Sequence, residues 1–115
     1  MTERDRYYIL DANNRPIKAD LMAWAQWFET IGNLVVGFAQ ITSQVHVSTV
    51  FLGINHNFID KGPPILFETM IFGGERDGEQ YRFAHYDDAK DFHDGLVEGL
   101  RHIQRKKGSK CDGGD

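Results

Sequence analysis

Two apolar runs near the middle of the chain are rich in β-branched and aromatic residues, which predicts two central strands of a sheet. The runs are Val45–Leu52 and Ile65–Phe72. Alternate residues of a strand point to opposite sides, so each run has two faces. The face of the first strand that we predict to be buried carries Val45, Val47, Thr49 and Phe51.

Apolar residues recur at helical spacing in two other segments. Asp20 suits the N-cap of a helix that runs to about Ile31, and Gly32 is suited to end it. A second helix is predicted to start near Tyr86 and to fade near Lys106. The predicted buried stripes are Leu21, Trp24, Ala25, Phe28 and Ile31 in the first helix, and Ala89, Phe92, Leu96, Leu100 and Ile103 in the second.

Shorter segments complete the pattern of elements. Tyr7–Leu10 and the residues around Pro16 predict a small hairpin, Leu34–Ile41 predicts a strand with a bulge or a close approach at Gly37, and Gln80–Ala84 predicts an edge strand. No strand–helix–strand unit recurs, as a parallel sheet would require. We therefore predict an α+β fold, an antiparallel sheet of about four strands with two helices packed on one face.

Composition limits the protein to a few broad classes. Its 115 residues fit one domain, predicted over residues 1–106 with a disordered tail over 107–115. The net charge of −4 argues against a nonspecific nucleic-acid binder. Cys111 is the only cysteine, which excludes an internal disulfide and suits a reducing cytoplasm. The charged start of the chain and the lack of a long apolar run predict neither a signal peptide nor a membrane span.

The polar segment between the two central strands is the predicted binding site. It offers varied polar and aromatic side chains between Gly53 and the stiff Gly62-Pro63-Pro64. Glu68, the only charge in the following strand, either pairs with Arg76, Arg82 or His56 or fixes a polar group of a ligand. The candidate binding residues are His56, Asn57, Phe58, Asp60, Glu68 and Arg76.

The sequence favours a protein without catalytic activity. His56, Asp60 and Glu68 could converge on a metal ion, but no His-Glu-x-x-His or similar spacing is present. No serine has the Gly-x-Ser-x-Gly context of a nucleophile. We therefore assign no catalytic residue, metal ligand or cofactor, and a small metal-assisted hydrolase using these three residues is kept as an alternative.

Three segments of the sequence resemble a family of small uncharacterised phage and prophage proteins. They are residues 47–53 (VSTVFLG), 62–64 (GPP) and 66–74 (LFETMIFGG), and the resemblance spans roughly Tyr7 to Arg105. It implies a small phage-encoded protein in the cytoplasm of a bacterial host. We expect a binding protein that acts in counter-defence, including inhibition of a CRISPR system, by occupying a host protein or sequestering a small signalling ligand. A homodimeric phage structural or assembly protein is a further alternative, because both faces of the central strands carry apolar residues.

Overall fold

The computed structural model describes residues 5–32, 34–59 and 61–114, and the side chains of these residues as far as 107. The chain adopts an α+β fold, as predicted. Its elements are β1 (Tyr7–Leu10), β2 (Pro16–Ala19), α1 (Leu21–Ile31), β3 (Val35–Gln40), β4 (His46–Phe51), β5 (Phe67–Phe72), β6 (Gln80–Phe83) and α2 (Tyr86–Gly114).

The last four strands form one antiparallel sheet in the order β3-β4-β5-β6, a simple meander. The predicted four-stranded sheet is thereby confirmed. β1 and β2 form a separate two-stranded hairpin, as predicted from Tyr7–Leu10 and the residues around Pro16. Asp11 closes this turn, because its Oδ1 accepts hydrogen bonds from the amides of Asn13 and Arg15.

The core lies between α2 and one face of the sheet, and a polar row divides it. On one side of the row, Phe51, Leu66 and Phe67 pack with Tyr8 and Ala89. On the other side the cluster comprises Ala39, Val47, Ile71 and Val97. The predicted buried face of β4 is confirmed, since Val47, Thr49 and Phe51 are buried.

Buried polar side chains form the row that separates these clusters. Thr49 and Thr69 are paired neighbours on β4 and β5, and their hydroxyl oxygens are 2.6 Å apart. The Thr49 hydroxyl is also hydrogen-bonded to His93 Nδ1 of α2 at 2.8 Å. His93 of α2 is therefore paired with a strand hydroxyl inside the core.

β3 is irregular at Gly37, as predicted, and both a bulge and a close approach are found there. The pairing of β3 with β4 shifts register between Val35 and Gly37, which marks a bulge. A Cβ atom at residue 37 would lie 2.7 Å from two ring atoms of His93. Glycine is therefore needed here because the imidazole lies directly against the strand.

The first helix has the predicted ends but a different buried side. Asp20 Oδ1 accepts a hydrogen bond from Ala23 N, and Gly32 adopts the left-handed conformation that ends the helix. The predicted stripe was wrong at Leu21, Ala25 and Ile31, which are exposed. Trp24, Trp27 and Phe28 form the packed side, and Trp27 and Phe28 meet Phe51 of the sheet. The reason is that α1 covers only the end of the sheet and the β1–β2 hairpin.

The second helix spans the sheet and is longer than predicted. Its residues Ala89, Phe92, Leu96 and Leu100 face the core as expected, whereas Ile103 is exposed. The helix continues to Gly114 instead of fading near Lys106. The prediction of a disordered tail falls mainly on residues whose side chains lie outside the described part of the chain.

Candidate functional site

The segment between β4 and β5, residues 53–66, forms a loop with a fixed base; we call it the Phe58 loop. At its start, the Gly53 carbonyl accepts hydrogen bonds from Tyr8 N at 2.9 Å and from Trp24 Nε1 at 3.0 Å. At its end, Leu66 O accepts from Leu52 N at 2.7 Å. The loop is therefore held by the N-terminal hairpin, by α1 and by its own neighbouring strand.

Gly53 is required by the geometry of this base. Its φ of +74° lies in the region that favours glycine. A Cβ atom at this position would lie 2.2 Å from Cζ of Phe28. The start of the loop can therefore lie against α1 only because residue 53 lacks a side chain.

Two asparagine side chains stabilise the interior of the Phe58 loop. Asn55 is buried, and its Oδ1 accepts from Asn57 N at 2.8 Å and Ile65 N at 3.1 Å. Asn57 Nδ2 donates to the carbonyls of Lys61 at 2.7 Å and Pro63 at 2.8 Å. Such side-chain bonds replace the backbone pairing that a loop lacks, so they tie the described residues of the loop to one another.

The tip of the loop presents apolar side chains to solvent. Phe58 is 77% exposed and Ile59 is 68% exposed. The His56 ring lies 5.8 Å from the Phe58 ring, and its Nδ1 donates to Ile54 O at 2.7 Å. This hydrogen bond places the proton of a neutral imidazole on Nδ1. His56 thus supports the tip with a fixed ring orientation.

The predicted site also includes two acidic residues, Asp60 and Glu68. Asp60 lies outside the described residues. Glu68 lies on β5 opposite Arg82 of β6, and its Oε2 accepts from Arg82 Nε at 2.9 Å. Of the three partners considered for Glu68, the pairing with Arg82 is therefore confirmed.

Arg76 lies in the turn after β5, at the opposite end of that strand from the Phe58 loop. It bonds Glu79 through Nε and Nη2, and Nη2 also donates to the Tyr81 hydroxyl at 3.1 Å. These contacts raise the pKa of Arg76, and the guanidinium and Tyr81 hydroxyl lower the pKa of Glu79. The guanidinium is thus already paired with a carboxylate. It lines a groove of about 250 Å³ beside α2.

The predicted residues therefore divide into two groups. His56, Asn57 and Phe58 share one loop, whereas Glu68 and Arg76 are engaged in ion pairs on or beyond β5. Sequence reasoning did not select Asn55 or Ile59, which complete the loop. Two asparagines spaced two apart and an adjacent Phe-Ile pair within a polar, Gly- and Pro-bounded segment are the signals that indicate them.

Within residues 5–32, 34–59 and 61–107, no group of three or more His, Cys, Asp or Glu side chains is placed to hold a metal ion. The metal-assisted alternative remains a prediction, because Asp60 is one of its three residues. In the same part of the chain, no helix has the length and apolar character needed to span a bilayer. Comparisons with protein-family models, curated proteins and solved structures found no match.

Proposed function

We propose that this protein is a non-enzymatic binding protein that docks on a partner protein through the Phe58 loop. One observation carries the proposal: a loop with internal hydrogen bonds displays Phe58 with 77% of its surface exposed. A polar loop that holds an aromatic side chain in solvent has the form of a binding determinant.

The energetics of binding favour such a loop. Full burial of a Phe or Ile side chain contributes about 1.5–3 kcal/mol. Ordering a flexible side chain or loop on binding costs roughly 0.5–1.5 kcal/mol per side chain. Asn55 and Asn57 reduce that cost because they order the loop before the partner arrives. Aromatic residues on rigid supports are frequent among the residues that dominate binding energy.

A partner protein is favoured over a small signalling ligand by the shape of the candidate sites. Ligand pockets usually enclose about 300–1,000 Å³. The groove at Arg76 offers about 250 Å³, and its guanidinium already pairs with Glu79. Grooves of about 330, 540 and 750 Å³ lie elsewhere on the described part of the chain, but none of the described candidate residues lines them. The Phe58 tip projects outward, which suits insertion into a pocket of another protein.

The biological setting of the proposal is counter-defence by a phage. The resemblance over residues 47–53, 62–64 and 66–74 supports a phage protein that acts in the cytoplasm of a bacterial host. A component of a host defence system, such as a CRISPR effector, is the proposed partner.

Capture from host lysates tests the proposal. The protein and its Phe58→Ala variant are immobilised and exposed to lysates from a panel of bacteria with intact defence systems. Ile103→Ala is the matched control, because Ile103 is an exposed apolar residue on α2. The proposal predicts a defence protein bound by the wild type and by Ile103→Ala but not by Phe58→Ala. Equal capture by all three proteins contradicts it.

A further inference from the structure

The face of the four-stranded sheet that points away from α2 has an unusual composition for a solvated surface. We call it the open face. Among the residues of its four strands, all of which the structure describes, the only Asp, Glu, Lys or Arg side chains are Glu68 and Arg82, which pair with each other. Its outward residues are Val35, Phe38 and Gln40 on β3, His46, Ser48 and Val50 on β4, Glu68, Met70 and Phe72 on β5, and Gln80 and Arg82 on β6.

An aromatic cluster crosses three strands of this face. The His46 ring is 4.6 Å from the Phe72 ring and stacks on it, and it is 5.2 Å from the Phe38 ring. Phe38 is 57% exposed and Phe72 is 38% exposed. Met70 lies beside this cluster, opposite Ser48 on β4. The cluster therefore leaves a continuous apolar strip open to solvent.

The sequence pattern of these strands differs from that of an antiparallel sheet with one face exposed to solvent. Such antiparallel strands alternate apolar residues inside with polar residues outside. On β4 and β5 the alternation fails, because Val50, Met70 and Phe72 are also apolar. Aromatic and Met side chains with few charges are typical of the centre of a protein interface.

We propose that the open face binds the open face of a second copy of this chain. The strands of this face carry no unpaired Asp, Glu, Lys or Arg, so the face has little electrostatic attraction for a charged partner. A second copy supplies the same apolar strip, and two such sheets can stack about 10 Å apart. The Glu68–Arg82 pair is satisfied within each copy, so its burial leaves neither charge unpaired. The inference goes beyond the proposed function and does not depend on it.

The size of the open face places this dimer in the class of small interfaces. Four strands of about six residues give a flat area of about 19 Å by 20 Å, which is roughly 400 Å² per copy. Side-chain relief increases the accessible area, which still lies at or below the roughly 800 Å² per partner of a standard interface. An interface of this size belongs to the weak, transient class, and the proposal commits to a reversible dimer that forms between low and high micromolar concentration.

Sedimentation velocity on the full chain, from low to high micromolar concentration, tests the dimer. The wild type is expected to move from monomer to dimer over this range. Phe38→Lys and Phe72→Lys each place a charge in the strip and are expected to raise the Kd at least about tenfold. Ile103→Lys, an exposed apolar position on α2, is expected to leave it unchanged.

A cysteine cross-link tests the position of the interface independently. In a Cys111→Ser background, Ser48→Cys places a thiol in the open face and Asp91→Cys places one on the exposed side of α2. A short bis-maleimide is expected to join two copies of the first variant and not of the second. A wild type that stays monomeric at high micromolar concentration overturns the proposal. A dimer that Ile103→Lys breaks while both Phe variants keep it also overturns the proposal.

Discussion

Thr49 shows how one polar side chain stabilises the centre of the sheet. Its hydroxyl lies between the Thr69 hydroxyl and the His93 imidazole, and all three residues are buried. A polar residue in an apolar strand would often be assigned to solvent. Here it is inside because a residue from the neighbouring strand and one from α2 satisfy its hydrogen bonds. Strand alternation predicted that Thr49 points inward. It did not predict that His93 of α2 is its hydrogen-bond partner.

Thr49→Val is expected to destabilise the fold by about 1–3 kcal/mol, because it leaves Thr69 and His93 without their shared partner in a buried place. The free energy of unfolding, measured by urea denaturation, checks this. Thr30→Val is the matched control, since the exposed Thr30 hydroxyl donates to Gln26 O within α1. That control is expected to change stability by less than about 0.5 kcal/mol. Equal effects of the two substitutions would refute the role of Thr49.

His93 predicts a pH dependence of stability. Burial lowers its pKa below the ordinary 6.5, an effect that Lys90 assists and Asp94 opposes. The unfolded chain therefore takes up the proton first as the pH falls. The stabilising contribution is complete above about pH 6.5 and is lost as the pH falls through the lower pKa of the folded state.

Unfolding curves between neutral and acidic pH check this prediction. His93→Gln is expected to reduce the loss of stability below about pH 6.5. His85→Gln removes an exposed histidine and is expected to keep the wild-type dependence. An unchanged pH dependence in His93→Gln would show that another group is responsible.

At the scale of elements, local signals were predicted well and packing directions less well. The ends of α1 followed from Asp20 and Gly32, because caps depend on residues adjacent in sequence. The buried side of α1 depends on what lies opposite it, and three of five predicted stripe residues are exposed. The inward side of β4 was correct because alternation leaves only two choices.

Gly53 lies where α1, the sheet and the Phe58 loop meet, so we expect its replacement to have a large effect on the stability of the fold. Gly53→Ala is expected to cost more than about 2 kcal/mol, since it adds a clash with Phe28 to an unfavourable backbone conformation. Gly99→Ala is the opposite control, because it lies on α2 in open space and is expected to stabilise by about 0.5–1 kcal/mol. Thermal denaturation of both variants gives the comparison. If Gly53→Ala left the stability unchanged, α1 would not lie firmly on the base of the loop.

At the scale of the whole molecule, the fold separates three surfaces. α2 covers one face of the sheet, the open face lies on the other side, and the Phe58 loop extends from the end where β4 leaves the sheet. The sequence indicated this loop because its polar residues lie between two strong strands. It named Arg82 among three possible partners of Glu68 but could not choose between them, since cross-strand pairing depends on register. It did not indicate that Arg76 pairs with Glu79 in the turn after β5. A partner held by the loop and a second copy held by the open face can therefore bind at separate places.

The affinity of the purified protein for the partner it captures tests the central claim most directly. Isothermal titration calorimetry is run with the wild type, Phe58→Ala, Asn57→Ala and Ile103→Ala. Phe58→Ala is expected to weaken binding about thirtyfold or more, because it removes the exposed aromatic side chain of the tip. Asn57→Ala is expected to weaken it less, through loss of loop order, and Ile103→Ala is expected to bind as the wild type does. Wild-type affinity in Phe58→Ala would contradict the account.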